Sequence, residues 1–185
     1  MDVSAIGDLS PADRAAFFDR DAGVDEIEES VSEIVSRVRS EGDAALRSYA
    51  SEFDDVAVGN LDVTDGAERA HGAIDPDLRE AIETAAENVR AFHERQVPDD
   101  WRETFDGREL GRRYRPIDRV GVYAPGGTAS YPSSVLMGVI PAKVAGVDHV
   151  AVVTPPAEDL PPATLAAAHV AGADAVYQSG GAQAI

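Results

Sequence analysis

The 185 residues contain no cysteine, and that absence removes disulfides, thiolate metal sites and cysteine nucleophiles from the chain's chemistry. Lysine is nearly missing too: Lys143 stands alone beside fifteen arginines. Positive charge is scarce overall, with 16 basic against 34 acidic residues and a net charge of -18. Such a balance argues against nucleic acid or an anionic membrane as partner, because both would repel this surface. No apolar run approaches the roughly eighteen residues that a membrane span requires. The acidic start, MDVSAIGDLSPADR, lacks the basic and then apolar pattern of a secretion signal, so a cytoplasmic protein is expected. Two glycine signatures are also missing, the dinucleotide G-x-G-x-x-G and the phosphate-binding G-x-x-x-x-G-K-[ST].

What is present supports a folded protein. An apolar content of 44% is ordinary for a globular domain, and the length is enough to bury one good core. The acid excess opposes compaction unless counterions screen it, so a chain rich in acid and poor in lysine reads as one built for a salty cytoplasm.

The first hundred residues carry helical signals. Ser10-Pro11-Ala12-Asp13 supplies a cap, a proline at the first helical position and an acid in the first turn. From Asp25, the residues Ile27, Val31, Ile34, Val35 and Val38 recur at helical spacing toward a stop near Gly42. A third helix is expected over Ala45–Phe53, a weaker one over Thr64–Gly72, and a clear one from Asp75-Pro76 through Leu78, Ile82, Ala85, Val89 and Phe92. The charge runs among them read as solvated helix faces, and His71 and His93 have no matching ligand pattern.

Near Trp101 the composition changes. Arg108–Tyr114 and Arg119–Tyr123 read as strands, followed by a helix over Ser133–Ala145, a strand His149–Thr154, a helix Ala163–Ala171 and a strand Ala175–Gln178. Gly146 and Gly172 fall where each helix must stop. Near-continuous apolar strands such as VAVVT, alternating with helices, imply a parallel sheet covered on both faces. The expected fold class is therefore α/β: a helical region over 1–100, then over 101–185 the beginning of a Rossmann-like parallel-sheet domain, incomplete at the C-terminus.

In such sheets ligands sit beyond the C-terminal strand ends, where VGVYAPGGTASYPSSVLM and QSGGAQAI both place glycine turns. The glycines allow close backbone approach, and Thr128, Ser130, Ser133 and Ser134 offer hydroxyls. Tyr123 can present a ring or a phenol, and Gln183 an amide suited to a ribose or carboxamide. A plain strand-to-helix turn, with Ser133 as an ordinary cap after Pro132, explains the same residues. The strand ending in Thr154-Pro155-Pro156 also lacks the acid that holds a ribose in dinucleotide folds. Spacing alone leaves turn and ligand cradle both open.

Taken in order, the blocks ENVRAFHERQ, RPIDRVG, VGVYAPGGTASYPSSVLMGVIPAKVAGVDHVAVVTPP and HVAGADAVYQSGGAQAI resemble the N-terminal portion of the histidinol dehydrogenase family. The resemblance implies an NAD-dependent enzyme oxidising L-histidinol, through the aldehyde, to L-histidine. It also implies zinc, a cytoplasmic homodimer and Rossmann-like domains of aldehyde-dehydrogenase type. It places Tyr123 and Gln183 on NAD-contacting positions, and it places the zinc ligands, catalytic groups and substrate contacts in a portion this chain does not contain. His149 and His169 do not substitute for them; packing or surface roles are expected.

Three readings follow: a histidinol dehydrogenase part, inactive alone; an inert remnant that binds a partner or nucleotide through its acidic helices and half-sheet; or a sister dehydrogenase of another small alcohol. A chain ending at Ile185 is expected to be entering a helix and to leave the Ala175–Gln178 strand as an unprotected apolar edge, an aggregation liability.

Overall fold

The computed structural model describes residues 6–18, 24–126 and 130–185. Helix α1 spans Pro11–Phe18 and α2 Val24–Glu41. The Ser10 hydroxyl accepts from the Asp13 N–H at 3.1 Å, which caps the first turn, and donates to the Asp13 carboxylate at 2.6 Å. Gly42, at φ +58, turns α2 into α3 (Asp43–Phe53). Helix α4 covers Thr64–Ala73 and α5 Pro76–Glu94, the latter opened by Asp75, whose carboxylate accepts from Asp77 N–H and Leu78 N–H.

Two antiparallel strands follow, β1 (Trp101–Phe105) and β2 (Arg108–Arg112), joined through Asp106 and Gly107 at φ +49 and +76. This is the two-residue hairpin that Asp-Gly favours, since both central positions need positive φ. The sequence predicts only the second strand, over a longer span. The rest is β3 (Arg119–Tyr123), α6 (Pro132–Val144), β4 (His149–Thr154), α7 (Pro162–Ala171) and β5 (Ala175–Gln178), closing on a 3₁₀ turn at Ala182–Ala184. Gly146 and Gly172 end their helices at φ +86 and +82, as glycine permits.

The sheet is parallel in the order β3-β4-β5. A strand order that advances one step at a time, each crossover right-handed, puts α6 and α7 on the same side. Val120, Val122, Val150, Val152 and Val176 all point to that side and join one core cluster with α4, α5, α6 and α7. The expectation of cover on both faces is therefore corrected: among the described residues the opposite face, with Arg119, Gly121, Tyr123 and Val153, has no helix in the core cluster. A β-carbon placed on Gly121 would meet nothing within 4 Å, whereas one on Gly138 of α6 would lie 2.5 Å from Val122 Cγ1. The core runs through both halves of the sequence, from Ala67, Ile74 and Ile82 to Ile140 and Ala168.

A second correction concerns the sheet edge. β5 is covered by Asn60–Thr64: Val63 N–H donates to Val176 O at 2.8 Å, Gln178 N–H to Leu61 O at 2.9 Å, and Val176 N–H to Thr64 Oγ1 at 3.0 Å. Its hydrogen-bonding groups are used within the chain, so β5 is not the open edge. Among the described residues, β3 stands at the other edge.

At the entry to β4 and β5, one Asp174 oxygen accepts from Lys143 Nζ at 2.5 Å and from Val150 N–H at 2.6 Å. Burial pushes this carboxyl up, but the two hydrogen bonds outweigh it and hold it below the ordinary aspartate value. Because the folded value is lowered, the stabilisation is present above the unfolded value of about 3.9 and is lost as pH falls through the folded one. We expect Asp174→Asn to cost roughly 1 kcal/mol at neutral pH, discounted for its partial exposure. Urea midpoints of parent and variant should converge in acid; a constant gap across pH would show that the charge is irrelevant.

Candidate functional site

The three parallel strands deliver their following turns to one edge. Ala124 N–H donates to Val153 O and Ser179 N–H to Thr154 O, both at 2.8 Å, so the ladder extends one residue past β3 and β5. Beyond it, Gly126 and Gly180 converge on Pro155. A β-carbon on Gly126 would lie 3.2 Å from Pro155 Cδ, and one on Gly180 would lie 3.5 Å from Pro155 Cβ. A side chain at Gly126 would crowd this proline, whereas a β-carbon at Gly180 would only touch it.

Tyr123 ends β3 on the sheet's uncovered face, with 37% of its surface exposed. It pairs in register with Val153, which pairs with Tyr177 on β5, so the two tyrosines share a face about two strand spacings, roughly 9.5 Å, apart. Gln183 lies in the turn after β5 and is 8% exposed, yet its Oε1 has no hydrogen-bond partner. Gly181, at φ +62, arches over it: a β-carbon there would sit 2.6 Å from that oxygen. Both expected contact residues thus lie at the C-terminal strand ends, Tyr123 exposed as the last residue of β3 and Gln183 buried in the turn after β5 with an unpaired oxygen.

The hydroxyls divide differently from expectation. Helix α6 starts at Pro132 with Tyr131 at its cap position and no side-chain cap, so Ser133 is not the cap; it lies exposed in the first turn. Ser130 Oγ is 3.1 Å from Thr164 Oγ1 and ties the turn to the start of α7. Gly127 and Thr128 lie outside the described residues.

Sequence reasoning missed Asp54. It caps the C-terminus of α3, followed by Asp55 at φ +56, and both its carboxylate oxygens would lie 3.4 Å from a β-carbon on Gly180. Its Oδ2 is buried without a partner, as is Ser179 Oγ. Burial raises the Asp54 carboxyl above the ordinary value. An acid therefore does stand at the strand ends, contributed by a helix remote in sequence.

The histidines take other places. His149 starts β4, at the opposite end of the sheet, and His93 meets Phe92 edge-on. His71 lies 2.9 Å from Glu83 Oε1 and its ring is 5.0 Å from that of His169. This trio does not fit zinc: among the described residues no group of three or more His, Cys, Asp or Glu side chains could hold a metal ion. Nor is any described helix long and apolar enough to cross a membrane.

Orphaned buried oxygens and close-set glycines thus meet at the strand-end turns, a donor set of hydroxyl, amide and carboxylate that can take hydroxyl or amide groups of a dinucleotide. A family model described as histidinol dehydrogenase matches residues 19–185. Histidinol dehydrogenase of Natronomonas pharaonis is 78% identical over the whole chain, and that of Haloarcula marismortui 72%; the chain covers 44% of each. The crystal structure of histidinol dehydrogenase from Elizabethkingia anophelis superposes with a TM-score of 0.80 at 34% identity, over 85% of this chain and 37% of that one. The chain spans less than half the length of these relatives, and with a family model matched over nearly all of it, it belongs to the histidinol dehydrogenase family.

Proposed function

We propose that the chain is the cofactor-binding part of an NAD-dependent oxidoreductase of histidine biosynthesis, which oxidises L-histidinol through L-histidinaldehyde to L-histidine as a cytoplasmic homodimer. The observation that carries this reading is the buried Gln183 with an unpartnered carbonyl oxygen, next to a glycine turn at the same strand ends as the exposed Tyr123. When bound, NAD supplies the hydride acceptor. Tyr123 would offer its ring to one of the bases, and Gln183 would accept from a ribose hydroxyl or carboxamide. No proton transfer is assigned to this chain, because the described strand-end turns hold no histidine or lysine to carry one.

The test is NAD titration of the chain by calorimetry in molar KCl. Tyr123→Ala should weaken binding by roughly 5- to 100-fold, the range for loss of one base stacked on an aromatic ring. Gln183→Ala should weaken it about 2- to 10-fold, the equivalent of one neutral hydrogen bond. Turnover of L-histidinol is expected only when the portion of the relatives' length that this chain does not span is supplied. An unmodified folded chain that ignores NAD would favour a partner-binding remnant instead.

A further inference from the structure

Gln183 Oε1, Ser179 Oγ and Asp54 Oδ2 are buried, lack partners and gather about the Ser179-Gly180-Gly181 turn. Ser179 and Gln183 are 6% and 8% exposed. Such atoms carry a desolvation cost until a donor arrives. Their chemistry selects the donor. A carboxylate and an amide oxygen only accept, and a hydroxyl does either. A phosphate would meet the Asp54 charge and be repelled, whereas a pair of adjacent sugar hydroxyls supplies two O–H donors to two acceptors. A β-carbon on Gly180 would come into contact with both Asp54 carboxylate oxygens at 3.4 Å, so this carboxylate faces the turn that carries Ser179 and Gln183.

We propose that Asp54, Ser179 and Gln183 form a ribose-diol subsite, with Asp54 accepting from a ribose hydroxyl of the bound dinucleotide. This rests on the NAD reading above and adds a residue and a ligand group to it. Asp54 then does what the acid at the end of a strand does in dinucleotide folds, but reaches the ligand from the end of α3.

The experiment titrates the full chain in molar KCl with NAD and with two analogues, each lacking the hydroxyls of one ribose. For the unmodified chain, one analogue should bind about 10- to 100-fold more weakly than NAD and the other nearly as well. Asp54→Ala should lose a similar factor for NAD, while its affinity for the sensitive analogue should match the parent's. The analogue comparison on the unmodified chain stands even if Asp54→Ala does not fold, and Ser179→Ala gives a second, milder variant. Equal binding of NAD and both analogues by the unmodified chain overturns the subsite while leaving the NAD reading intact. The subsite is likewise overturned if Asp54→Ala weakens all three ligands alike, since that marks a purely structural role. Absence of NAD binding by the unmodified chain overturns both.

Discussion

Ile140→Ala is expected to lower the unfolding free energy by about 2–5 kcal/mol, the usual range for truncating a buried isoleucine. Ile140 is fully buried on α6. That helix lies between the β3-β4 ladder on one side and α5 and α7 on the other. With neighbours fixed by a sheet and two helices, the site has little freedom to collapse, which favours the upper part of the range. A domain of this size has roughly 5–15 kcal/mol in all, so the variant should be partly unfolded under mild conditions. Urea titration followed by circular dichroism reads the effect as a lower midpoint with an unchanged slope. Ile27→Ala is the control. Ile27 is 61% exposed on α2, and its loss should fall within about 0.5 kcal/mol of the parent. Equal effects at the two positions would mean that α6 does not form the centre of the core.

Periodicity reveals α3, α4 and α5 because each buries residues on one face, and it reveals α2 although Val31, Ile34, Val35 and Val38 are only half-buried; Asp75-Pro76 and Ser10-Pro11 mark where two helices start. Hairpin strand β1 is not legible for the converse reason. All five residues of Trp101–Phe105 are exposed, so no alternation of apolar and polar residues survives to be read. The single local signal is Asp106-Gly107, whose positive φ values fix the turn. VAVVT misleads in another way. Its Ala151 and Val153 are apolar yet only half-buried on the open face, so composition overstates the cover. The β5 edge is protected by Asn60–Thr64, which is distant in sequence and reads locally as a loop.

The site is legible to the same limited depth. Glycine turns at strand ends follow from the βα pattern, and resemblance selects Tyr123 and Gln183 among several polar residues. Asp54 has no signal of its own. Within SEFDD it looks like a solvated helix end, and only the tertiary packing of α3 near the final turn brings its carboxylate toward Gly180. Dinucleotide folds put the ribose acid at the end of a strand, so a search along β4 finds none. Here the acid at the strand ends comes from a helix instead.

Raising salt from about 0.1 M to 1 M should stabilise the chain markedly, with most of the gain inside that interval, because the screening length falls there from about 10 Å to about 3 Å. The structure shows why repulsion is not relieved internally. Among the described residues five Arg or Lys ion pairs form, engaging Glu41, Asp43, Glu109, Asp100 and Asp174, so most of the acid excess has no basic partner. Exposed pairs of this kind contribute about 0–1 kcal/mol each. Along α2, Glu28, Glu29 and Glu33 stand exposed, and Glu158 and Asp159 are exposed beyond β4. Like charges on one surface oppose compaction until counterions screen them. A gain of about 3 kcal/mol would raise Tm by roughly 6–12 °C for a chain of this length. KCl and NaCl should act alike through screening, and charge-neutral sucrose at equal osmolarity should not reproduce the rise. A Tm that is flat in salt, or that climbs equally with sucrose, would mean that self-repulsion does not govern the salt response, and would leave the acid excess without a role in stability.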